Sequence, residues 1–139
     1  MPITYIAQPK ITAQDFIDIL DKSTLGLRRP LQDLAAMQMM FDHGNVYVGA
    51  YDGDKLVGLA RVMTDFVFTS YLSDLAIDEA YQHQGIGKQL IVEVKKFIPR
   101  AKVILLAAPA DDIAGRLKAR TQAEKLIAEL LEQPHLFAD

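Results

Sequence analysis

The chain has 139 residues, a formal net charge of −3 and no cysteine. The length suffices for one domain with a hydrophobic core, and the half-apolar composition is typical of a soluble globular protein. The missing cysteines exclude disulfides, thiolate metal sites and cysteine nucleophiles, and the acidic balance argues against a nucleic-acid partner. Residues 1–10 do not resemble a signal peptide and no apolar run could span a bilayer, so we expect a cytoplasmic protein without a membrane partner.

The first half of the chain predicts a strand and two helices, followed by three consecutive antiparallel strands. Thr12 is a suitable N-cap for the first helix, and Gly44 is a suitable C-cap for the second. The pair Asp52-Gly53 favours the positive φ angles of a two-residue hairpin turn. The expected elements are strand 3–7, helix 12–21, helix 31–41, strand 45–51, strand 56–63 and strand 67–77.

The segment from Leu75 to Lys88 is the most informative part of the sequence. Apolar residues up to Ile77 indicate the end of a strand, and apolar positions three to four residues apart after Gly85 indicate a helix with one buried face. Glycines let a ligand approach the backbone closely. The free N–H groups and the dipole of a helix N-terminus favour an anion. The segment therefore predicts a pocket for a phosphate or pyrophosphate.

Three glycine-rich patterns can occupy such a strand–loop–helix unit, and two of them fail here. A dinucleotide fingerprint requires a third glycine where Leu90 stands, and its fold does not begin with antiparallel strands. A P-loop requires glycine in place of Gln82 and Ser or Thr in place of Gln89. The pattern Gln/Arg-x-x-Gly-x-Gly/Ala is satisfied by Gln82, Gly85 and Gly87. With its flanking strand and helix, it resembles the acyl-CoA-binding motif of the GNAT superfamily of N-acyltransferases.

The resemblance covers about residues 3–110 and implies an α+β (α/β) fold with a GNAT-like mixed, mainly antiparallel central sheet flanked by helices. In that fold, 102–108 forms a strand parallel to the strand 72–77. Residues 111–139 depart from the family pattern, because 121–132 is rich in helix formers where two closing strands are usual. We expect a single domain over 1–139 whose C-terminal helix replaces those strands. We also predict a homodimer through this helix, since the sheet edge would otherwise need another cover.

The resemblance further implies an acetyl-CoA-dependent N-acetyltransferase that uses no metal. The pantetheine arm would pair with the strand before the loop, as an added strand would. One N–H near Leu75 or Ile77 would hold the acyl carbonyl oxygen, and an acceptor amine would attack the thioester directly. Lys88 either adds charge at the phosphate or is a solvated surface lysine. The implied coenzyme-binding residues are Leu75, Ala76, Ile77, Gln82, His83, Gln84, Gly85, Ile86, Gly87 and Lys88.

The attacking amine must lose a proton, and the candidate catalytic residues near the reacting end are Asp74, Tyr71 and Ser73. A carboxylate is the better base, which favours Asp74, but a structural aspartate that bonds a neighbouring N–H is an equal alternative. Side chains of the strand before the glycine loop should alternate between its two faces. One face is expected to carry Tyr71, Ser73, Leu75 and Ile77, and the other Leu72, Asp74 and Ala76.

Arg28 and Arg29 lie in the loop between the first two helices, which borders the acceptor site in folds of this kind. They would bind a carboxylate or phosphate on the acceptor, or they form a solvated basic loop. The histidines are scattered and lack ligand spacing, so no metal site is expected.

Two functional classes remain open. The first is an N-acetyltransferase acting on a primary amine of a small molecule or protein. The second is a catalytically weak or inactive acyl-CoA-binding or interaction module, suggested because no tyrosine follows Tyr81 to serve as the usual general acid. A weaker third interpretation is a loop that binds another phosphate ligand. Turnover with amines separates the first class from the second.

Overall fold

The computed structural model describes residues 2–105, which lie within one compact unit, Met1–Leu106. The predicted C-terminal helix, the homodimer through it and the part of the strand 102–108 beyond Leu105 fall outside the described residues. The single-domain organisation of 1–139 depends on the same residues and stays a prediction. Within 2–105, no helix has the length and apolar character needed to cross a membrane.

The described part is built on a five-stranded sheet with the order β1-β2-β3-β4-β5. Neighbouring strands from β1 to β4 are antiparallel, and β5 is parallel to β4. The predicted mixed, mainly antiparallel sheet flanked by helices is thereby confirmed. The elements are β1 Thr4–Ala7, α1 Ala13–Lys22, a 3-10 helix Thr24–Arg28, α2 Leu34–His43, β2 Val46–Asp52, β3 Lys55–Thr64, β4 Thr69–Ile77, a 3-10 helix Glu79–Tyr81, α3 Ile86–Phe97 and β5 Lys102–Ile104.

Local chemistry sets most of these boundaries. Thr12 starts α1 through a capping box, in which Thr12 Oγ1 accepts from the Asp15 N–H at 3.2 Å and Asp15 Oδ2 accepts from the Thr12 N–H at 2.8 Å. The expected start of α2 at residue 31 is wrong, because Asp33 is the N-cap and its Oδ1 accepts from the Ala36 N–H at 3.0 Å.

Gly44 is the C-cap of α2, as expected, but it adopts an extended conformation with φ −74°. Glycine is required there by space, since a Cβ would lie 2.7 Å from Tyr47 Oη and 2.8 Å from Arg61 Cγ. A left-handed cap is therefore absent at this helix end, and the glycine instead permits close packing on β2 and β3.

The sheet carries a hydrophobic cluster on each face. On one face α3 packs against the strands through Ile86, Leu90 and Val94. On the other face α1 and α2 pack through side chains that include Phe16 and Met37. The burial of these apolar surfaces holds both helical layers to the sheet.

A β-bulge in the middle of β4 changes which residues share a face. Arg61 pairs with Asp74, whereas the next residue of β3 pairs with Leu72, so Ser73 has no partner on β3. Leu72 consequently packs in the same cluster as Leu75, on the α3 face, while Ala76 packs on the α1 and α2 face. The expected grouping of Leu72 with Asp74 and Ala76 is wrong, because one extra residue shifts the alternation by one position.

Candidate functional site

The candidate site starts on β4, next to its described pairing with β5. Their pairing joins Thr69 to Lys102, Ser70 to Val103 and Tyr71 to Ile104. The expected parallel direction is confirmed, but residues 102–104 pair with 69–71 instead of with 72–77, and residues 106–108 of the expected strand lie outside the described part of the chain.

The glycine-rich loop follows directly at the end of β4. Gly85 has φ +81° and is the N-cap of α3, and His83 has φ +65°. No side chain caps this helix end, so the N–H groups of its first turn are free of the usual capping acceptor. The helix dipole adds partial positive charge at the same point. The loop thus has backbone groups of the kind that bind an anion.

Interactions around the loop hold it against the sheet. Gln82 Nε2 donates to the carbonyl oxygen of Ile77 at 3.3 Å, which ties the loop to the end of β4. Tyr81 Oη donates to Asp52 Oδ2 at 2.6 Å, and this hydrogen bond raises the pKa of Tyr81. Lys55 Nζ lies 5.2 Å from the centre of the Tyr81 ring. The β2–β3 hairpin therefore braces the turn that leads into the loop.

Gly87 has space around it that the other residues of 2–105 do not fill. A Cβ added there would lie 3.6 Å from Leu75 Cδ2 and 3.9 Å from Ile77 Cγ1, which are ordinary contacts. Four loop residues near it are exposed: His83, Gln84, Gly85 and Lys88. Ile86 is buried and anchors the start of the helix. Packing within residues 2–105 therefore does not require a glycine at 87. Close approach of a bulky anion such as a pyrophosphate would require it, so these residues fit that ligand.

A buried charge cluster occupies the middle of β4. Asp74 is 1% exposed and lies between two guanidinium groups. Arg29 Nε donates to Asp74 Oδ1 at 2.6 Å, and Arg61 Nε donates to Asp74 Oδ2. The structure thus brings Arg29 and Asp74, both predicted site residues, into direct contact. Both carboxylate oxygens are occupied by these charge-assisted bonds.

Arg61 is the residue of this cluster that sequence reasoning missed. It is 5% exposed, and its Nη1 donates to the Met40 carbonyl oxygen at 3.1 Å. Its guanidinium carbon lies 5.4 Å from the centre of the Phe16 ring. The sequence could have indicated Arg61, because it lies inside the apolar run Leu-Ala-Arg-Val. A charge within a buried strand requires a partner of opposite charge.

The other predicted residues differ in accessibility. Ser73 Oγ accepts from Arg61 Nη2 at 3.1 Å, and the Ser73 carbonyl oxygen accepts from Arg29 Nη2 at 3.1 Å. The Arg29 side chain is only 15% exposed, while Arg28 is partly buried beside it. Tyr71 is 38% exposed. Of the three catalytic candidates, Tyr71 therefore has the most accessible side chain.

The β3–β4 connection beside Tyr71 presents apolar side chains to solvent. Phe68 is 72% exposed and Phe66 is 44% exposed. Asp65 Oδ1 holds this tip by accepting from the N–H groups of Phe68, Val67 and Thr69 at 2.8, 2.9 and 3.1 Å. These hydrogen bonds, that of Phe68 first, lower the pKa of Asp65. The tip is therefore a preformed apolar surface held by a charged carboxylate.

Comparison with known proteins identifies relatives of this arrangement. Residues 13–117 match the family model for the acetyltransferase (GNAT) family. A histone acetyltransferase of Glycine max is 33% identical over 75 residues, which are 46% of this chain and 31% of that protein. The chain thus matches less than a third of that relative's length.

Solved structures share the fold. A GNAT-family acetyltransferase from Streptococcus pneumoniae has a TM-score of 0.62 at 26% identity, and the match covers 86% of each chain. The N-acetyltransferase PaiA from Thermoplasma acidophilum, solved in complex with coenzyme A, has a TM-score of 0.59 at 14% identity. That match covers 87% of this chain and 89% of the other. From the family match over most of its length and the shared fold, the chain belongs to the GNAT acetyltransferase family.

Proposed function

We propose that this protein is an acetyl-CoA-dependent N-acetyltransferase that acetylates a primary amine of a small molecule or protein within a ternary complex. One observation carries the proposal. The strand β4 leads through the loop 82–85 into a helix N-terminus that begins at Gly85 and has no side-chain cap. In a chain of this family, that combination would hold the pyrophosphate at the helix start and the pantetheine arm along the end of β4.

The loop 82–88 would hold the pyrophosphate chiefly through backbone N–H groups at the start of α3. The backbone of Leu75, Ala76 and Ile77 would bind the pantetheine amides. Gln82 contributes by holding the loop to Ile77. His83, Gln84 and Lys88 are exposed along the loop, where Lys88 can add positive charge. The acetyl group would then lie near the bulge in β4.

In the proposed reaction, the neutral amine nitrogen attacks the thioester carbonyl carbon and forms the new C–N bond. A β4 N–H near Leu75 or Ile77 stabilises the negative charge that develops on the carbonyl oxygen. The C–S bond breaks, and the departing thiolate takes up a proton from solvent. The amine's proton passes to solvent water, either directly or through the Tyr71 hydroxyl, which gives up its own proton as it receives the other, because Ser73 and Asp74 are already engaged by arginines.

The rival function is a catalytically weak or inactive acyl-CoA-binding module. One observation favours it: the sequence has no tyrosine after Tyr81, so the usual family group that protonates the thiolate has no counterpart. Both functions require acetyl-CoA binding at 82–88, and they differ in turnover with amines.

Titration calorimetry with acetyl-CoA tests the binding site. We expect micromolar binding by the full chain, weakened at least about 100-fold in Gly87→Glu, which corresponds to about 2.7 kcal/mol. Val92→Glu places the same charge on an exposed position of α3 away from the loop, and its affinity should match that of the unchanged protein. Equal affinity in Gly87→Glu would place the ligand elsewhere, and no binding by the unchanged protein would overturn the function.

A second assay separates the enzyme from the binding module. Thiol release from acetyl-CoA is followed with spermidine, a lysine-containing peptide and kanamycin as acceptor amines. Amine-dependent release that Gly87→Glu abolishes supports the transferase. Binding of acetyl-CoA without release with any of these amines favours the module.

A further inference from the structure

We propose that Asp74 is a positioning residue that acts through an arginine clamp, a cluster formed by Arg29, Arg61 and Asp74. The clamp sets the orientation of the β4 bulge against the acyl carbonyl group. The inference rests on the proposed function and deepens it. It assigns the carboxylate a role other than that of the base expected from the sequence.

Arg29 holds both the backbone and the side chain of the bulge. Its Nε donates to Asp74 Oδ1 at 2.6 Å, and its Nη2 donates to the Ser73 carbonyl oxygen at 3.1 Å. The C=O and N–H of a trans peptide point in opposite directions. A fixed Ser73 carbonyl therefore also fixes the Asp74 N–H and the entry of the chain into Leu75, where the acyl oxygen is expected.

Arg61 holds the same two residues from β3. It binds the second carboxylate oxygen of Asp74 and donates from Nη2 to Ser73 Oγ at 3.1 Å. Its bond to the Met40 carbonyl oxygen ties the cluster to the end of α2. The bulge is thus held by side chains from two directions.

The bulge requires such support because Ser73 has no partner on β3. An unpaired residue interrupts the ladder that normally fixes strand geometry. The planar guanidinium groups restore that constraint with several donors in fixed directions. The clamp thereby replaces missing backbone hydrogen bonds at the point where the reaction needs a defined N–H direction.

Asp74 is poorly placed to accept a proton from an amine. Its side chain is 2% exposed and both of its oxygens bind guanidinium groups. A general base must come within about 2.6–3.2 Å of the proton it removes, directly or through one water. Protonation of Asp74 would break the ion pairs that hold the bulge. The geometry therefore supports positioning over proton transfer.

Arg29 also links the bulge to the loop on the acceptor side. It follows the 3-10 helix Thr24–Arg28 directly and is the C-cap of that helix. Its bonds to β4 span 44 and 45 residues of sequence. The loop on the expected acceptor side is therefore in direct contact with the peptide beside the expected acyl position.

Infrared spectroscopy of bound acetyl-CoA labelled with carbon-13 at the carbonyl tests the clamp. The variant is Arg29→Gln, which leaves the Arg61–Asp74 pair intact, and the matched control is Arg100→Gln at an exposed arginine. Binding to the unchanged protein should move the carbonyl stretch to lower frequency, because the N–H hydrogen bond weakens the C=O bond. We expect Arg29→Gln to lose most of this shift while its calorimetric Kd for coenzyme A stays within about twofold, under 0.5 kcal/mol.

Arg29→Lys keeps the charge without the planar fork, so it should recover only part of the shift. A full shift in Arg29→Gln would overturn the inference and leave the proposed function standing. Loss of coenzyme A binding in Arg29→Gln, with normal binding in Arg100→Gln, would also overturn it, since Arg29 would then support the whole coenzyme site. Absence of coenzyme A binding by the unchanged protein would instead overturn the proposed function.

Discussion

The end of β4 and its middle carry two parts of the site that differ in construction. At the end, the loop 82–88 is a continuous segment whose proposed anion-binding groups are backbone N–H groups at a helix start. In the middle, the arginine clamp joins side chains that are 13 and 45 residues apart in sequence. A site formed by backbone N–H groups depends on the conformation that its glycines allow, and it tolerates substitution of the other side chains in the loop. A charge-built cluster depends on every member, because each charge is buried against another.

The largest effect is expected from Asp74→Asn, which breaks the clamp. This change leaves two largely buried guanidinium groups without a counter-charge, so we expect a loss of about 3–5 kcal/mol in the free energy of unfolding. Urea denaturation measures it. Asp18→Asn at an exposed helix position is the control and should change the value by no more than about 0.5 kcal/mol. A loss below about 1 kcal/mol in Asp74→Asn would show that the cluster contributes little to stability.

The next effect separates two glycines of the loop. Gly85 has φ +81°, so Gly85→Ala forces a side chain into the left-handed region at a cost of about 1–2 kcal/mol. Gly87→Ala meets only ordinary contacts and should leave the free energy of unfolding unchanged or slightly raised. Thermal unfolding of both variants without ligand checks the contrast. Equal destabilisation would mean that Gly87 serves the fold as well as the ligand.

A smaller effect is expected where side chains brace the backbone-built loop. Tyr81→Phe removes the hydrogen bond to Asp52 and should lower the urea midpoint by less than Gly85→Ala does. Tyr71→Phe is the control, because its hydroxyl makes no hydrogen bond within residues 2–105. If Tyr81→Phe behaves like this control, the hairpin does not support the turn before the loop.

The smallest effect concerns Asp65, whose carboxylate is held by backbone N–H groups in the way proposed for the coenzyme phosphate. Its lowered pKa means that the charged form is favoured in the folded state. The resulting stability is present above the unfolded-state pKa of about 3.9 and is lost as the pH falls through the lower folded value. Amide NMR shifts of Val67, Phe68 and Thr69 should therefore titrate together, with a midpoint below 3.9. A midpoint at or above that value would contradict the backbone-held carboxylate, and Asp65→Asn should abolish the titration.

The sequence alone determined the features that depend on neighbouring residues. The spacing of Gln82, Gly85 and Gly87 after an apolar strand indicated the family and predicted a phosphate loop, because strand, turn and helix start lie within a few residues of one another. Thr12 predicted the start of α1 for the same reason, since an N-cap acts within one helical turn, here with Asp15 in a capping box.

The tertiary structure decided the features that depend on which segments meet. Strand alternation put Leu72 and Asp74 on one face, but pairing with β3 left Ser73 unmatched and moved them to opposite faces. The environment of Asp74 was likewise decided by Arg29 and Arg61, which reach it only when the loop and β3 pack against β4. A bulge is set by the register between two strands, and a buried charge is neutralised by whichever opposite charge the fold brings within bonding distance. Both are therefore consequences of long-range packing, whereas the loop that identifies the family is encoded in one short stretch of chain.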